Sequence, residues 1–252
     1  MIIKNDKELA KMKEIAQIVA ITLREMKKAA EPGMTTKRLD EIGHQLLAGM
    51  GAVSAPISMY NFPGYNCISV NEEVAHGIPG DTVIQEGDIV NIDVSAHKDG
   101  YYSDNGASIL IGEGNAHKQK LLQTSKNALA KAISVAVADN KLNAIGLMVE
   151  KEAKRHGFTT VKNLCGHGIG RTLHDEPDSI YNYYEKRDKR ILQKGMVLAV
   201  ETFVSEKDDY VLTDEKDGWT LRTPNHSLTA QFEHTIVVTD DEPLILTLLE
   251  EE

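Results

Sequence analysis

Four carboxylates stand inside stretches that otherwise read as apolar β-strand, and this placement restricts the chain more than any other feature. Asp93 lies in Val90-Asn91-Ile92-Asp93-Val94, and Asp104 lies in the Ile-containing run from Tyr101 to Ile111. Glu201 sits in Leu198-Ala199-Val200-Glu201-Thr202-Phe203-Val204, and Glu233 in Gln231-Phe232-Glu233-His234-Thr235-Ile236. A carboxylate taken into an apolar interior is costly unless it is paired or bound to a cation. A fold that buries these strands must therefore bring the acids to positive charge. Taken singly, a strand aspartate is more often exposed at an edge or capping a turn; four together point to a shared site.

Asp88 to Ala96 and Tyr101 to Ile111 flank His97-Lys98-Asp99-Gly100, whose Asp-Gly pair signals a hairpin of antiparallel strands. With the turn pivoting between Lys98 and Asp99, Asp93 and Asp104 are equally far from it and are expected to face each other. An all-carboxylate cluster suits Mg²⁺ or Ca²⁺, and one added imidazole shifts the expectation to Mn²⁺, Fe²⁺, Co²⁺ or Zn²⁺. His167, in Gly166-His167-Gly168, is the candidate imidazole, although a lone histidine in a glycine-rich turn is more often structural.

Around these runs the chain alternates helices and strands. Apolar residues Leu9, Met12, Ile15, Ile18, Val19 and Leu23 recur at helical spacing until Glu31-Pro32-Gly33 stops them, and a second helix capped by Thr35 or Thr36 carries Leu39, Ile42, Leu46 and Leu47. Val53 to Tyr65 reads as a loop, Cys67 to Val70 as a short strand, and Lys118 to Ala138 and Leu142 to His156 as helices. Cys165 to Gly170 reads as an irregular, glycine-rich passage. Gly195 to Val204 and Leu228 to Thr239 form a second strand pair, joined by a polar excursion containing Asp217-Gly218-Trp219. Gly114 to His117 and Lys186 to Arg190 read as solvated loops. The order helices, strands, helices, strands suggests two similar α/β halves, and with no Pro/Ser/Gly-rich linker the expectation is a single domain over residues 1–252 with a site between the halves.

The chain has 41% hydrophobic and 26% charged residues, ordinary values for a globular protein, and a net charge of -10, which argues against a broad nucleic-acid-binding face. Cys67 and Cys165 are too few for a disulfide framework or a structural zinc site. The N-terminal stretch turns charged early and no segment runs ~20 apolar residues, so neither a signal peptide nor a membrane span is expected, and the compartment expected is the cytoplasm.

Several ordered blocks together are more specific than any one of them. Ile68-Ser69-Val70-Asn71-Glu72 with Ala75-His76-Gly77-Ile78-Pro79, Gly87 through Val94, Gly166-His167-Gly168-Ile169-Gly170 with Leu173-His174, and Ala230-Gln231-Phe232-Glu233-His234-Thr235 resemble bacterial type I methionine aminopeptidases over nearly the whole chain. That resemblance implies the creatinase-like pita-bread fold, an α+β architecture of two pseudo-symmetric α/β halves around a central antiparallel sheet. It implies two divalent ions per chain, Co, Mn, Fe, Zn or Ni, with Asp93, Asp104, His167, Glu201 and Glu233 as ligands and Asp104 and Glu233 bridging. A water or hydroxide between the ions would attack the first peptide bond. Glu201 would shuttle the proton, His174 would stabilise the tetrahedral intermediate and His76 would contact the scissile amide. Phe62, Cys67, His76, His174 and Trp219 would bind substrate. Asn105, Thr202 and Leu173 stand where the family commonly has Thr, Pro and an aromatic, departures expected to act on hydrogen bonds behind the ligands or on pocket shape.

The resemblance further implies peptide and nascent-protein N-termini as substrates, the ribosome as a candidate partner, no direct nucleic-acid or membrane partner, and a monomer. Two other readings stand beside it. One is an Xaa-Pro peptidase on the same fold, disfavoured because two helices, a loop and one or two short strands account for everything ahead of Asp93. The other is a non-enzymatic binding protein, disfavoured because all five ligand positions carry competent side chains.

Overall fold

The computed structural model describes residues 1–249. The chain opens with α1 (Asp6–Ala29) and α2 (Thr36–Gly49), each started by a side-chain cap: Asn5 accepts from the Glu8 amide, and Thr35 from the Arg38 amide. Acids in the first turn of α1 and Lys27 and Lys28 in its last turn suit the helix dipole. The stretch read as a loop instead holds β1 (Val53–Ser54) and a short helix, α3 (Ala55–Tyr60). Pro56 occupies its first turn, where a missing N–H costs nothing, and Asn61 ends it with a left-handed φ of 56°. Proline and asparagine, which suggested loop, are here the start and stop of one helical segment.

Then come β2 (Cys67–Val70), β3 (Glu73–Ala75), β4 (Ile89–Lys98) and β5 (Tyr101–Leu110). Helices α4 (Ala116–Ser134) and α5 (Asn143–Arg155) follow; α4 begins inside the segment Gly114 to His117, where Asn115 caps it. The second half continues with β6 (Thr159–Thr160), β7 (Cys165–Gly168), β8 (Asp175–Tyr181), β9 (Val197–Ser205), β10 (Leu212–Thr213), β11 (Leu221–Arg222), β12 (Thr229–Val237) and β13 (Leu244–Ile245). The passage around His167 is thus a strand, with an irregularity between Gly166 and Gly168 that the glycines accommodate.

The main sheet has ten strands, its central path running β1-β4-β5-β12-β9-β7-β8 with antiparallel pairing throughout. Two halves are evident. α1 and α2 cover the hairpin β4–β5 with a core that includes Met12, Ile15, Val19, Leu23, Val90, Ile92 and Val94, whereas α4 and α5 cover β9 and β12 with Leu121, Leu129, Ile145, Leu198, Val200 and Ile236. Between the halves, β5 and β12 pair only at Phe232 and Ala107, and the Thr235 hydroxyl bridges the gap by accepting from the Asp104 amide at 3.0 Å and donating to the Asp104 carbonyl at 2.8 Å. A separate three-stranded sheet, β10-β11-β3, pairs Leu221 with Ala75.

The hairpin turn corrects one expectation. Asp99 and Gly100 both have positive φ, 52° and 76°, the signature of a two-residue type I′ turn, so Lys98 pairs with Tyr101 and the pivot falls between Asp99 and Gly100. Asp93 consequently pairs with Gly106 and Asp104 with Ser95, placing the two acids diagonally on one face rather than directly opposite. A Cβ on Gly100 would meet nothing within 4 Å, so its cost is conformational alone. Gly100→Ala should therefore destabilise the chain by about 1 kcal/mol in urea denaturation, with Asp99→Asn, an equally good turn residue, leaving the midpoint unchanged.

Candidate metal centre

Strand alternation decides which side chains meet. On β4 the residues Val90, Ile92, Val94 and Ala96 point to the helices, leaving Asn91, Asp93 and Ser95 on the other face; their neighbours across the hairpin are Ser108, Gly106 and Asp104. On the second pair Glu201 stands directly opposite Glu233, flanked by Ala199 opposite Thr235 and Phe203 opposite Gln231. β7 brings in His167 opposite Ala199. The five candidate ligands thus come from both halves of the molecule to the middle of the sheet. All five line a cavity of about 370 Å³, together with His76, His174, Phe62, Cys67 and Trp219.

The geometry is that of a cation site. One ligand atom each from Asp104, His167 and Glu233 lie within 4.8 Å of one another, and His167 Nε2 is 3.9 Å from Glu201 Oε1 and 4.0 Å from Asp104 Oδ2. Three buried carboxylate oxygens there, Asp93 Oδ1, Asp104 Oδ1 and Glu233 Oε1, have no hydrogen-bond partner. Unsatisfied oxygens this deep are what a divalent ion would satisfy. The His167 ring donates from Nδ1 to the Gly168 carbonyl at 2.9 Å, which leaves the Nε2 lone pair for an ion.

The electrostatics agree. Burial pushes the Asp93 carboxyl up to about 6, and burial followed by the charges of neighbouring acids holds Asp104, Glu201 and Glu233 well above the usual range. Burial, with His174 beside it, lowers His167 to about 3, so its imidazole is neutral and able to ligate. Among the described residues no lysine or arginine lines the cavity.

Behind Glu233, Gln231 holds one of its oxygens. The Gln231 amide donates from Nε2 to Glu233 Oε2 at 3.0 Å and accepts at Oε1 from Asn91 Nδ2 at 2.7 Å. Ser108 fixes the Gln231 backbone, donating to its carbonyl at 3.1 Å and accepting from its N–H at 2.9 Å. The amide lies over Gly106, where an added Cβ would come within 2.5 Å of it. This leaves Glu233 Oε1 free and aimed at the cluster. Gln231 was quoted in a motif but given no role by sequence reasoning; its place two residues from Glu233, hence on the same strand face, is the signal that could have found it.

Around the cluster, His76 follows β3 with a left-handed φ of 54°, a conformation that structures hold at functional sites. Phe62 and Trp219 meet edge-on with centroids 5.3 Å apart, and Cys67 pairs across β2–β4 with Asp93. Leu173 also lines the cavity. The other two departures do not point into it. Asn105 pairs with Val94 on the helix-facing side, and Thr202 pairs with Phe232 there, its hydroxyl 3.0 Å from that of Ser125 on α4. Tyr60, lost in the stretch read as a loop, lies on the cavity wall with its hydroxyl beside His174.

Comparison with known proteins follows the same line. Residues 10–240 match metallopeptidase family M24. The chain is 51% identical over 250 residues to methionine aminopeptidase 2 of Bacillus subtilis, covering 99% of this chain and all of that one. It superimposes on the crystal structure of a methionine aminopeptidase from Thermotoga maritima with a TM-score of 0.94 at 36% identity, covering 99% of this chain and 100% of that one. The prolidase of Pyrococcus furiosus, at 21% identity, shares the pita-bread fold with a TM-score of 0.78, and this chain covers 66% of it.

Two outcomes are expected. An acid with a raised folded pKa binds its proton more tightly folded than unfolded, so its favourable contribution is present below the ordinary value of 3.8 and is lost as pH rises through about 6 for Asp93. Protons compete with a cation over that range, so the rise in Tm produced by Mn²⁺ over a chelator control should be larger at pH 7.5 than at pH 5. Gln231→Leu should weaken Mn²⁺ binding about 10- to 100-fold by calorimetry, because Glu233 loses the partner that orients it.

Proposed function

The chain belongs to metallopeptidase family M24, and from that premise we propose that it is a methionine aminopeptidase, removing the N-terminal methionine from peptides and nascent proteins. One observation carries this reading: the unsatisfied oxygens of Asp93, Asp104 and Glu233 lie beside a neutral His167 on the wall of a cavity that Phe62, Leu173, Phe203 and Trp219 also line. We assign Asp93, Asp104, His167, Glu201 and Glu233 as the residues that would hold two divalent ions. Held there, such ions supply Lewis acidity, activating water near neutral pH and neutralising charge that builds on the scissile carbonyl.

The side chains do the rest. Glu201 takes the proton of the attacking water and passes it to the departing amine. His174 donates to the carbonyl oxygen as it becomes an oxyanion, and His76 holds the scissile amide. The edge-on pair of Phe62 and Trp219, with Cys67 beside them, makes an apolar cup for an unbranched methionine side chain. Substrates are the N-termini of cytoplasmic peptides and nascent chains, with residues 1–252 acting as one catalytic unit and as a monomer. No helix among the described residues is long and apolar enough to cross a membrane.

The alternatives fare worse. Likeness to the Pyrococcus prolidase is a likeness of fold, and a binding protein descended from this fold has no use for five intact ligand side chains. The experiment is hydrolysis of Met-Ala-Ser against Ala-Pro by metal-stripped protein reloaded with Mn²⁺ or Co²⁺. Methionine release from Met-Ala-Ser alone, abolished by chelation and reduced at least about 1,000-fold in Asp104→Asn, is the expected result. Cleavage of Ala-Pro, or no turnover with either metal, would sink the reading.

A further inference from the structure

Tyr60 is the last residue of α3, and its hydroxyl stands 2.5 Å from His174 Nδ1. The chain turns back at once through the left-handed Asn61, so the phenol ring is fixed at the cavity rim, tilted 57° to the imidazole with centroids 5.5 Å apart. Another side of the His174 ring lies against His167, centroids 4.2 Å apart. Among the described residues no second group hydrogen-bonds the Tyr60 hydroxyl or either ring nitrogen of His174. The pair is therefore an isolated contact between one donor-acceptor and a ring whose other nitrogen, Nε2, is left to the cavity.

We infer that Tyr60 is a positioning residue that fixes His174 as the Nε2–H tautomer, a role resting on the aminopeptidase reading above. A neutral imidazole carries one N–H, and the nitrogen that bears it is set by the hydrogen bond made at the other. If Nδ1 accepts from the phenol, the ring hydrogen must sit on Nε2, facing the cavity. In the opposite arrangement Nδ1–H would donate to the phenol oxygen, and the hydroxyl hydrogen would be left with no protein acceptor. A phenol is also the better donor of the two.

The consequence is specific to one stage of the reaction. An Nε2–H can only donate, and what it meets in the cavity is the carbonyl oxygen whose negative charge grows towards the transition state. Removing the Tyr60 hydroxyl lets the ring populate the tautomer that presents a lone pair there. Methionine side-chain binding, which depends on Phe62, Cys67 and Trp219, is untouched. The loss therefore falls on kcat rather than KM.

The test compares wild type, Tyr60→Phe, His174→Ala and the double variant on Met-Ala-Ser with Mn²⁺, and reads the His174 ring nitrogens by ¹⁵N NMR in metal-free wild type and Tyr60→Phe. We expect Tyr60→Phe to lower kcat about tenfold with KM within about twofold, and to have no further effect once His174 is alanine. The wild-type ring should report hydrogen on Nε2, and the variant a mixture of tautomers. A wild-type ring protonated at Nδ1, an unchanged kcat, or a rise in KM as the only effect, which marks a pocket wall, overturns the inference. Failure of wild type to release methionine would count against the aminopeptidase reading, whereas the ring spectra decide the tautomer independently of turnover.

Discussion

Gathering four carboxylates beside an imidazole, Asp104 and Glu233 buried and Asp93 and Glu201 half-buried, with no ammonium or guanidinium lining the cavity among the described residues, is the constraint that the rest of the molecule answers to. Each acid loses water, which leads the causes that raise every one of them, and Asp104, Glu201 and Glu233 also gain the repulsion of neighbouring acids. Such a cluster persists only where the surrounding structure is stable enough to hold it. Two separate apolar cores, one under α1 and α2 and one under α4 and α5, supply that stability from either side, and a bound cation removes the repulsion at the centre.

The sheet converts this demand into geometry. Its two faces divide the labour residue by residue: along β4 the even-numbered positions from Val90 to Ala96 feed the helical core, and the odd-numbered ones feed the site. Where β5 and β12 pair only at Phe232 and Ala107, Thr235 adds hydrogen bonds from its own hydroxyl and so joins the halves beside two of the clustered acids. Gln231, seated over Gly106, then decides which oxygen of Glu233 is committed to protein and which is left over.

Much of this was legible in the sequence because it is local or periodic. Acids in β-branched runs, Asp-Gly at a hairpin and helical spacing of Met12, Ile15 and Val19 each encode their own structure, and the residues singled out as candidate ligands and pocket walls line one cavity. What stayed hidden depended on details that a one-dimensional pattern leaves open. Asp93 and Asp104 fall diagonally because the type I′ turn places Asp99 and Gly100 at its two central positions, a shift of pairing that leaves the face unchanged. α3 was obscured because Pro56 and Asn61 are loop formers in general and helix terminators in place. The strand β7 was obscured by glycines needed beside His167. Asn105 and Thr202 were expected to act near the ligands, yet alternation turns both to the helical side, where Thr202 meets Ser125.

The small sheet β10-β11-β3 joins two parts of the cavity that are far apart along the chain. Trp219 precedes β11 by two residues and His76 follows β3 by one, and the pairing of Leu221 with Ala75 ties those strands together. Trp219 and His76, which both line the cavity, therefore ride on a common mechanical frame. An insertion in the Asp217-Gly218 turn that moved Trp219 would also move His76 on the cavity wall. That part of the cavity wall changes as a unit, whereas Phe62 and Cys67 line the same cavity from other segments and can be exchanged without remodelling the loop.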